Sequence, residues 1–187
     1  MKTILINLEP LDYSEIAKQK LRQYFDYREL DESQPVFDQI ADVSIIISRL
    51  RYELCAEFLS HAPKLKFIVS ATTGINHIDL TYTGKAKVEV ICLKGETDFL
   101  SKITPTAEHT WGLLLALVRQ YKQAFASVDR FEWLRDQFPG SQLNGKVLGV
   151  VGLGRLGKMV AKYGQAFGME VIYTDTSVKS PTYPRVS

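Results

Sequence analysis

The chain has 187 residues, 45% of them hydrophobic and 24% charged, a composition typical of a globular protein with a buried core. Its formal charge of +2 comes from 23 basic and 21 acidic residues mixed along the chain, so we expect neither nucleic acid nor a membrane as a partner. The N-terminal apolar run is too short for a signal segment, which predicts a cytoplasmic location. Cys55 and Cys92 have no metal-ligand spacing, so we expect no metal site and two reduced core thiols.

The first 30 residues predict a strand followed by a helix. Residues 3–8 form a largely apolar strand, and Ser14 is a residue type that caps helices. The helix would present one apolar face, formed by Ile16, Leu21, Tyr24 and Phe25.

Further apolar strands follow at 43–47, 65–69 and 88–92, with a helix predicted over 54–61. Continuous apolar strands separated by helices favour an α/β fold with a parallel sheet covered on both faces. Gly74 and Asn76 end the strand that finishes at Val69 and would allow a tight backbone path at its carboxyl end. In open α/β sheets, ligands bind at that end.

The middle of the chain predicts two helices. Thr104 and Pro105 are suited to the N-cap and first position of a long helix, and the apolar run 111–118 suggests burial between domains or between subunits. A second helix is predicted over 125–137. We place the domain boundary near Leu100, which gives domains of residues 1–100 and 101–187.

Residues 146–175 carry the strongest functional signal. A strand over 147–151 leads into the GxGxxG pattern of Gly152, Gly154 and Gly157, then a helix over 155–167 and a strand over 170–174. Leu156, Val160 and Phe167 would face inward. In this pattern the first glycine allows the turn, the second lets the backbone approach a pyrophosphate, and the third lets helix and strand pack closely. The alternative is a glycine-rich turn without a ligand.

Asp175 follows the second strand of this segment, 18 positions after Gly157. A carboxylate there accepts hydrogen bonds from the adenosine ribose and would repel a 2′-phosphate, which favours NAD over NADP. Arg155 is a reservation, because a basic side chain in the loop could meet a phosphate. The alternative for Asp175 is a solvated turn residue.

Four stretches together resemble the D-isomer-specific 2-hydroxyacid dehydrogenases: APKLKFIVSATTGINHIDL, TAEHTWGLLLAL, the approach from Trp133 to Lys146, and the fingerprint segment up to Asp175. The resemblance implies a flavodoxin-like substrate domain over residues 1–100 and the first half of a Rossmann domain over 101–187. It also implies NAD as cofactor and a small 2-hydroxy or 2-keto acid as substrate.

The resemblance further implies site residues. Leu153, Arg155 and Leu156 would join the three glycines and Asp175 around NAD, and Thr110 would lie near the nicotinamide. The backbone around Gly74, Ile75 and Asn76 would bind the substrate carboxylate, with Arg49 on the same rim. Two alternatives stay open: a solvated surface cation for Arg49, and a hydroxyl bonded to its own helix for Thr110.

The family's catalytic arginine, glutamate and histidine would lie beyond Ser187, so we expect no catalytic residue and no activity in this chain. Of the histidines present, His61 would cap a helix, and His77 and His109 are weak candidates for a general acid. A non-catalytic NAD sensor or corepressor is the alternative function, and another Rossmann ligand such as S-adenosylmethionine is a third. The helices over 105–137 would pair two chains into a homodimer.

Overall fold

The computed structural model describes residues 2–11 and 13–186, and the chain divides into two compact units, Met1–Glu96 and Thr97–Ser187. The division falls a few residues before the predicted boundary near Leu100. Across the described residues, no helix is long and apolar enough to cross a membrane.

The first unit is a parallel sheet with helices between its strands. Its strands are β1 (Ile4–Asn7), β2 (Asp26–Glu29), β3 (Ile45–Ser48), β4 (Phe67–Ser70) and β5 (Glu89–Cys92). Its helices are α1 (Glu15–Tyr24), α2 (Val36–Ile40), α3 (Ala56–Ser60) and α4 (Leu80–Ala86). The strand order β2-β1-β3-β4-β5 with parallel pairing throughout is the flavodoxin-like order, which confirms the predicted fold class.

Both faces of this sheet are buried, and β3 shows why three isoleucines follow one another in its sequence. Ile46 packs in the larger core cluster on one face, whereas Ile45 and Ile47 pack on the other face with Leu21 and Phe25. Because successive side chains of a strand point to opposite faces, a strand covered on both sides favours apolar residues at consecutive positions. Burying each isoleucine contributes about 1.5–3 kcal/mol to stability.

Several elements of the first unit differ from the prediction. Strand β2 was not expected, because its sequence DYRE has no apolar pattern. As an edge strand it carries charges that pair with neighbouring side chains, including Arg28 with Asp42, 14 residues further along the chain, at 2.9 Å. Ser14 caps α1 as predicted, accepting from the Ala17 N–H at 3.2 Å, but Ile16 and Tyr24 are exposed rather than part of the packed face.

The thiols also differ from the expectation. Cys55 is exposed at the N-cap of α3 and Cys92 is half-buried at the end of β5, so the prediction of two core thiols is wrong. Both cysteines are free.

In residues 97–186, the described part of the second unit, four helices accompany a two-stranded parallel sheet. Its helices are α5 (Thr97–Leu100), α6 (Pro105–Val118), α7 (Tyr121–Asp129) and α8 (Arg155–Ala166), and its strands are β6 (Val147–Val151) and β7 (Glu170–Thr174). Helix α8 connects β6 to β7, which pair from Val147–Glu170 to Val151–Thr174. Helix α6 packs on α8, where the Trp111 ring stacks on Phe167 at 4.7 Å and its Nε1 donates to the Val160 carbonyl at 3.2 Å.

The helices of the second unit depart from the prediction at three points. The second predicted helix, 125–137, is α7 and ends at Asp129, because Phe131 has a φ of 58° that helical residues do not adopt. The hydroxyl of Thr104 bonds to Glu108 instead of capping α6. In α8 the buried positions are Ala161 and Gly164, while the predicted Phe167 is 41% exposed.

Gly164 explains the orientation of α8. A Cβ at this position would lie 2.6 Å from Leu148 Cδ2 of β6. The helix therefore rests on the sheet through its smallest residues, which leaves the larger Leu156 and Val160 half-buried at the sides. Large-residue periodicity alone cannot reveal such a contact.

Candidate functional site

The glycine loop between β6 and α8 has the geometry that its pattern predicts. Gly152 has a φ of 89°, which gives the turn out of β6. A Cβ on Gly157 would lie 2.0 Å from the Gly152 carbonyl oxygen, so this glycine lets the helix begin directly against the loop. Apart from its chain neighbours, no described residue has a heavy atom within 4 Å of where a Cβ on Gly154 would be, which leaves the backbone open to a ligand.

The first turn of α8 offers backbone donors that bond to no group of the described residues. Gly154 is the N-cap and has no side chain to bond the amides of Arg155, Leu156 and Gly157. Most helices satisfy these groups with a Ser, Thr, Asp or Asn cap. With a glycine cap, the amides and the positive end of the helix dipole are available to an anion such as a phosphate. Leu153 is fully buried and anchors the loop in the core of this unit.

Asp175, directly after β7, is bonded to the glycine loop. Its Oδ2 accepts from the Leu153 N–H at 2.7 Å, and its Oδ1 accepts from the N–H groups of Val178 and Ser177 at 2.7 and 2.8 Å. The amides of Val178 and Ser177, followed by that of Leu153 and by the Arg185 charge, lower the pKa of the Asp175 carboxyl below its ordinary value. Asp175 is therefore an ionised group that holds both loops in place.

A cavity of about 690 Å³ opens beside the glycine loop. It contains two predicted residues, Gly152 and Asp175, and is completed by residues that the prediction did not include. These are Val151, Thr174, Thr176, Arg185 and Val186.

Arg155 does not use its side chain at this cavity. Its Nη1 donates to the carbonyls of Leu100 and Ile103, at 3.0 and 3.1 Å, and so ties the start of α8 to the segment before α6. The reservation that this side chain could meet a phosphate is therefore not supported, and only its backbone N–H stays in the predicted site. Thr110 is exposed on α6 and its hydroxyl donates to the Thr106 carbonyl at 2.8 Å, which matches the alternative interpretation of this residue.

In the first unit, Arg49 lies at the carboxyl end of β3 and is paired. Its Nε is 3.6 Å from Glu9 Oε2, and its backbone N–H donates to Glu9 Oε1 at 2.5 Å. Glu9, which is 9% exposed, also accepts from the Ser48 hydroxyl at 3.2 Å. These residues follow β1 and β3, the neighbouring strands where the chain reverses its direction across the sheet, and ligands bind at such a switch point. The Arg49 side chain is thus ion-paired while 37% of it remains exposed to solvent.

The loop after β4 holds Gly74, Ile75 and Asn76. Its conformation is fixed by side chains: the Thr72 hydroxyl donates to the Gly74 carbonyl at 2.6 Å and lies 2.8 Å from the Ser70 hydroxyl. Neither Gly74 nor Asn76 has a positive φ, so the loop does not need the backbone freedom that the sequence suggested. The N–H groups of Gly74, Ile75 and Asn76 bond to no other described residue and are open to a ligand.

The three histidines are placed without a carboxylate partner among the described residues. His61 ends α3, where its ring stacks on Phe37 at 4.1 Å. His77 Nε2 lies 3.5 Å from the Ser70 hydroxyl, and its buried Nδ1 bonds to no described group. His109 is exposed on α6. Within residues 2–11 and 13–186, no three His, Cys, Asp or Glu side chains are grouped so that they could hold a metal ion.

Sequence reasoning missed Arg185 and Glu9. Arg185 reaches the cavity because its segment pairs with Tyr173, a contact that no local pattern encodes. Glu9 carried one usable signal, since it directly follows an apolar strand whose carboxyl end faces the ligand edge of the sheet.

Comparison with known proteins places these features in a family. The model of the D-isomer specific 2-hydroxyacid dehydrogenase NAD binding domain matches residues 111–186. D-3-phosphoglycerate dehydrogenase from Methanocaldococcus jannaschii is 37% identical over 142 residues, which are 76% of this chain and 26% of that protein. Its counterpart from Mycobacterium leprae is 37% identical over 139 residues, 74% of this chain and 25% of that protein. The chain thus spans about a quarter of the length of these curated relatives.

Solved structures of dehydrogenases also match the fold of this chain. D-lactate dehydrogenase from Aquifex aeolicus, complexed with NAD and lactic acid, matches with a TM-score of 0.81 and 28% identity over 98% of this chain and 55% of its own. NAD-dependent formate dehydrogenase from Staphylococcus aureus, in complex with NAD, has a TM-score of 0.79 at 23% identity, covers 100% of this chain and 59% of its own, and shows the shared fold. From its glycine loop, its sheet order and these relatives, the chain is similar to the D-isomer-specific 2-hydroxyacid dehydrogenases, and residues 111–186 of its second unit match the NAD binding domain of that family.

Proposed function

We propose that this chain supplies the NAD site and part of the substrate site of an NAD-dependent dehydrogenase acting on a small D-2-hydroxy or 2-keto acid. The observation that carries the proposal is the first turn of α8, which has a glycine N-cap and open amides and is bonded through the loop to an ionised Asp175. When bound, NAD would accept or donate the hydride at its nicotinamide ring.

The glycine loop would bind the pyrophosphate. The N–H groups of Arg155, Leu156 and Gly157 point out of the first turn of α8, and Gly154 presents no side chain that would keep a phosphate away. Because Gly157 lets the helix begin beside Gly152, these donors lie against the loop itself.

Asp175 would bind the adenosine ribose with one oxygen. A carboxylate offers about four lone-pair positions, and three backbone N–H groups already occupy three of them. Among the described residues, Leu153 alone donates to Oδ2, so this oxygen has room for a ribose hydroxyl, whereas Oδ1 already accepts two hydrogen bonds.

The first unit would bind the carboxylate of the acid. The open amides of Gly74, Ile75 and Asn76 form a group of donors at the carboxyl end of β4. Arg49, held by Glu9 at the end of the neighbouring strand β3, would add a positive charge on the same edge of the sheet. These assignments rest on the family and on the open amides.

Calorimetric titration with NAD and NADP tests the cofactor assignment, and absorbance of NADH during incubation with a panel of D-2-hydroxy acids tests turnover. We expect NAD binding without NADH formation by this chain. A general acid for this reaction needs a histidine oriented by a carboxylate, and the described histidines have none. Failure to bind either cofactor would contradict the proposal, and turnover would contradict the expected inactivity.

The described histidines have no carboxylate partner, and this observation also favours a second candidate function, that of a non-catalytic NAD-binding sensor. The two functions are separated by the activity of the whole gene product, since a sensor would bind NAD and oxidise none of the acids. The cytoplasmic location stays a prediction from the sequence.

We also propose a homodimer through the helices over 105–137. In the second unit this region exposes large apolar side chains, among them Leu117 at 79%, Trp133 at 91% and Phe131 at 100%. An apolar surface of this kind is typical of a protein–protein contact. We expect light scattering to give the mass of two chains, and Leu117→Glu to give one. A wild-type mass of one chain would contradict the dimer.

A further inference from the structure

The segment around Arg185 forms one side of the cavity beside the glycine loop. The Tyr173 N–H donates to the Pro184 carbonyl at 3.0 Å, and the Val186 N–H donates to the Tyr173 carbonyl at 2.8 Å. This parallel pairing continues the sheet on the side of β7 that β6 does not occupy. It fixes Arg185 next to the carboxyl end of β7, where Asp175 begins the following loop.

The guanidinium of Arg185 is tied to Asp175 and has donors to spare. Its Nη2 donates to the Asp175 carbonyl oxygen at 2.5 Å. A guanidinium carries five N–H donors, and the others of Arg185 bond to no other residue that the structure describes. Of the described residues that line the cavity, Arg185 alone carries a positive charge.

The cavity therefore combines one negative and one positive side chain where the ribose would bind. A carboxylate alone repels the 2′-phosphate of NADP, which carries close to two negative charges. A guanidinium attracts such a group and can bond two of its oxygens at once. Asp175 and Arg185 are joined through the carbonyl of Asp175, so a phosphate on the 2′-oxygen beside the carboxylate would lie within reach of Arg185.

We propose that Arg185 determines the cofactor selectivity of this chain: it offsets the exclusion by Asp175 and allows NADP to bind as well as NAD. The proposal rests on the proposed NAD site. Two other cations do not fit this role. The Arg155 side chain is bonded to the Leu100 and Ile103 carbonyls, and Lys179, in the same loop as Asp175, is absent from the cavity lining.

The test compares 5′-AMP with 2′,5′-ADP, which differ only by the 2′-phosphate and need no catalysis to report binding. Calorimetry would give the affinity of both for the wild-type chain and for Arg185→Gln, Arg185→Lys and Lys179→Gln. The Lys179→Gln variant is the matched control, because it removes one charge from the same exposed loop. Circular dichroism would show that each variant is folded.

We expect Arg185→Gln to weaken 2′,5′-ADP binding about tenfold or more, the loss that accompanies removal of a charge-assisted hydrogen bond, and to change 5′-AMP binding little. Arg185→Lys keeps the charge without the planar donors, so its affinity for 2′,5′-ADP should lie between those of the wild type and Arg185→Gln. Lys179→Gln should bind both nucleotides with the affinities of the wild type.

The outcomes separate this proposal from the NAD site itself. Suppose that the wild-type chain binds 5′-AMP, but the Arg185 variants leave the ratio of the affinities for 2′,5′-ADP and 5′-AMP unchanged. The role of Arg185 is then wrong and the NAD site stands. The same conclusion follows if Lys179→Gln lowers this ratio as much as Arg185→Gln does. If the wild-type chain binds neither nucleotide, nor NAD, the proposed function fails and this inference fails with it.

Discussion

Two loops of this protein occupy the same topological position and are built by different means. The glycine loop follows β6 and the loop over residues 71–79 follows β4, each at the carboxyl end of a parallel strand. The first depends on the absence of side chains, since Gly157 must lie against the Gly152 carbonyl. The second is held by side-chain hydroxyls, with Thr72 bonded to the Gly74 carbonyl. A loop built by the backbone has a fixed glycine spacing, whereas a loop built by side chains can use many residue combinations.

Of the substitutions that test this difference between the two loops, we expect one at Gly157 to have the largest effect. In Gly157→Ala the new methyl group would meet the Gly152 oxygen at 2.0 Å, so helix or loop must move. We expect a loss of about 1–3 kcal/mol in the stability of the second unit, as in other overpacked sites, and loss of NAD binding. Thermal unfolding and calorimetry measure the two effects.

Gly154→Ala is the matched control for Gly157→Ala. Apart from the chain neighbours, its methyl group would meet no heavy atom of a described residue within 4 Å, so we expect folding to be retained. NAD should bind more weakly, because the methyl group would face the ligand side of the loop. Equal stability loss in both variants would show that the loop does not depend on this contact.

Asp175→Asn is expected to have the next largest effect. The substitution keeps the shape of the side chain, but only one of its two terminal atoms can accept. Either the bond from Leu153 or the two bonds from Ser177 and Val178 are therefore lost. We expect roughly tenfold weaker NAD binding, measured by calorimetry, together with a lower unfolding temperature. Unchanged affinity would mean that Asp175 organises the loop without contacting the ribose.

Thr72→Val tests the other loop and is expected to have a smaller effect. The variant loses the bond to the Gly74 carbonyl and the contact with Ser70. We therefore expect the free energy of unfolding of the first unit to fall by about 0.5–1.5 kcal/mol, as measured by denaturant unfolding. NAD binding should be unaffected, since the second unit contains the whole of the proposed NAD site. A change in NAD affinity would contradict that separation.

The smallest expected effect is that of pH. The amides of Val178 and Ser177 lower the pKa of Asp175, so its stabilising contribution is complete above the ordinary aspartate pKa of about 3.9 and is lost only as the pH falls towards the lowered value. We therefore expect the contribution of Asp175 to NAD binding to be constant from about pH 8 to pH 5. Calorimetry across this range checks the expectation, and a decline that Asp175→Asn abolishes would contradict it.

The fold was largely predictable because its central strands are buried on both faces. The apolar runs of β1, β3 and β4 indicate a covered parallel sheet before any contact is known. Strand β2 was not predictable in the same way, because its charged DYRE sequence is stabilised by partners distant in the chain, such as Asp42. The early end of α7 depends likewise on the left-handed conformation of Phe131, a residue type that gives no turn signal.

The sequence by itself determined the parallel α/β fold, the glycine loop and the position of Asp175, because each follows from local residue types at fixed spacing. Tertiary structure decided which side chains meet. It bonded Arg155 to two carbonyls, paired Arg49 with Glu9, and brought Arg185 to the cavity through its pairing with β7. These contacts join residues from 10 to 55 positions apart, and the direction of a long side chain is chosen by whichever partner the folded chain places within reach.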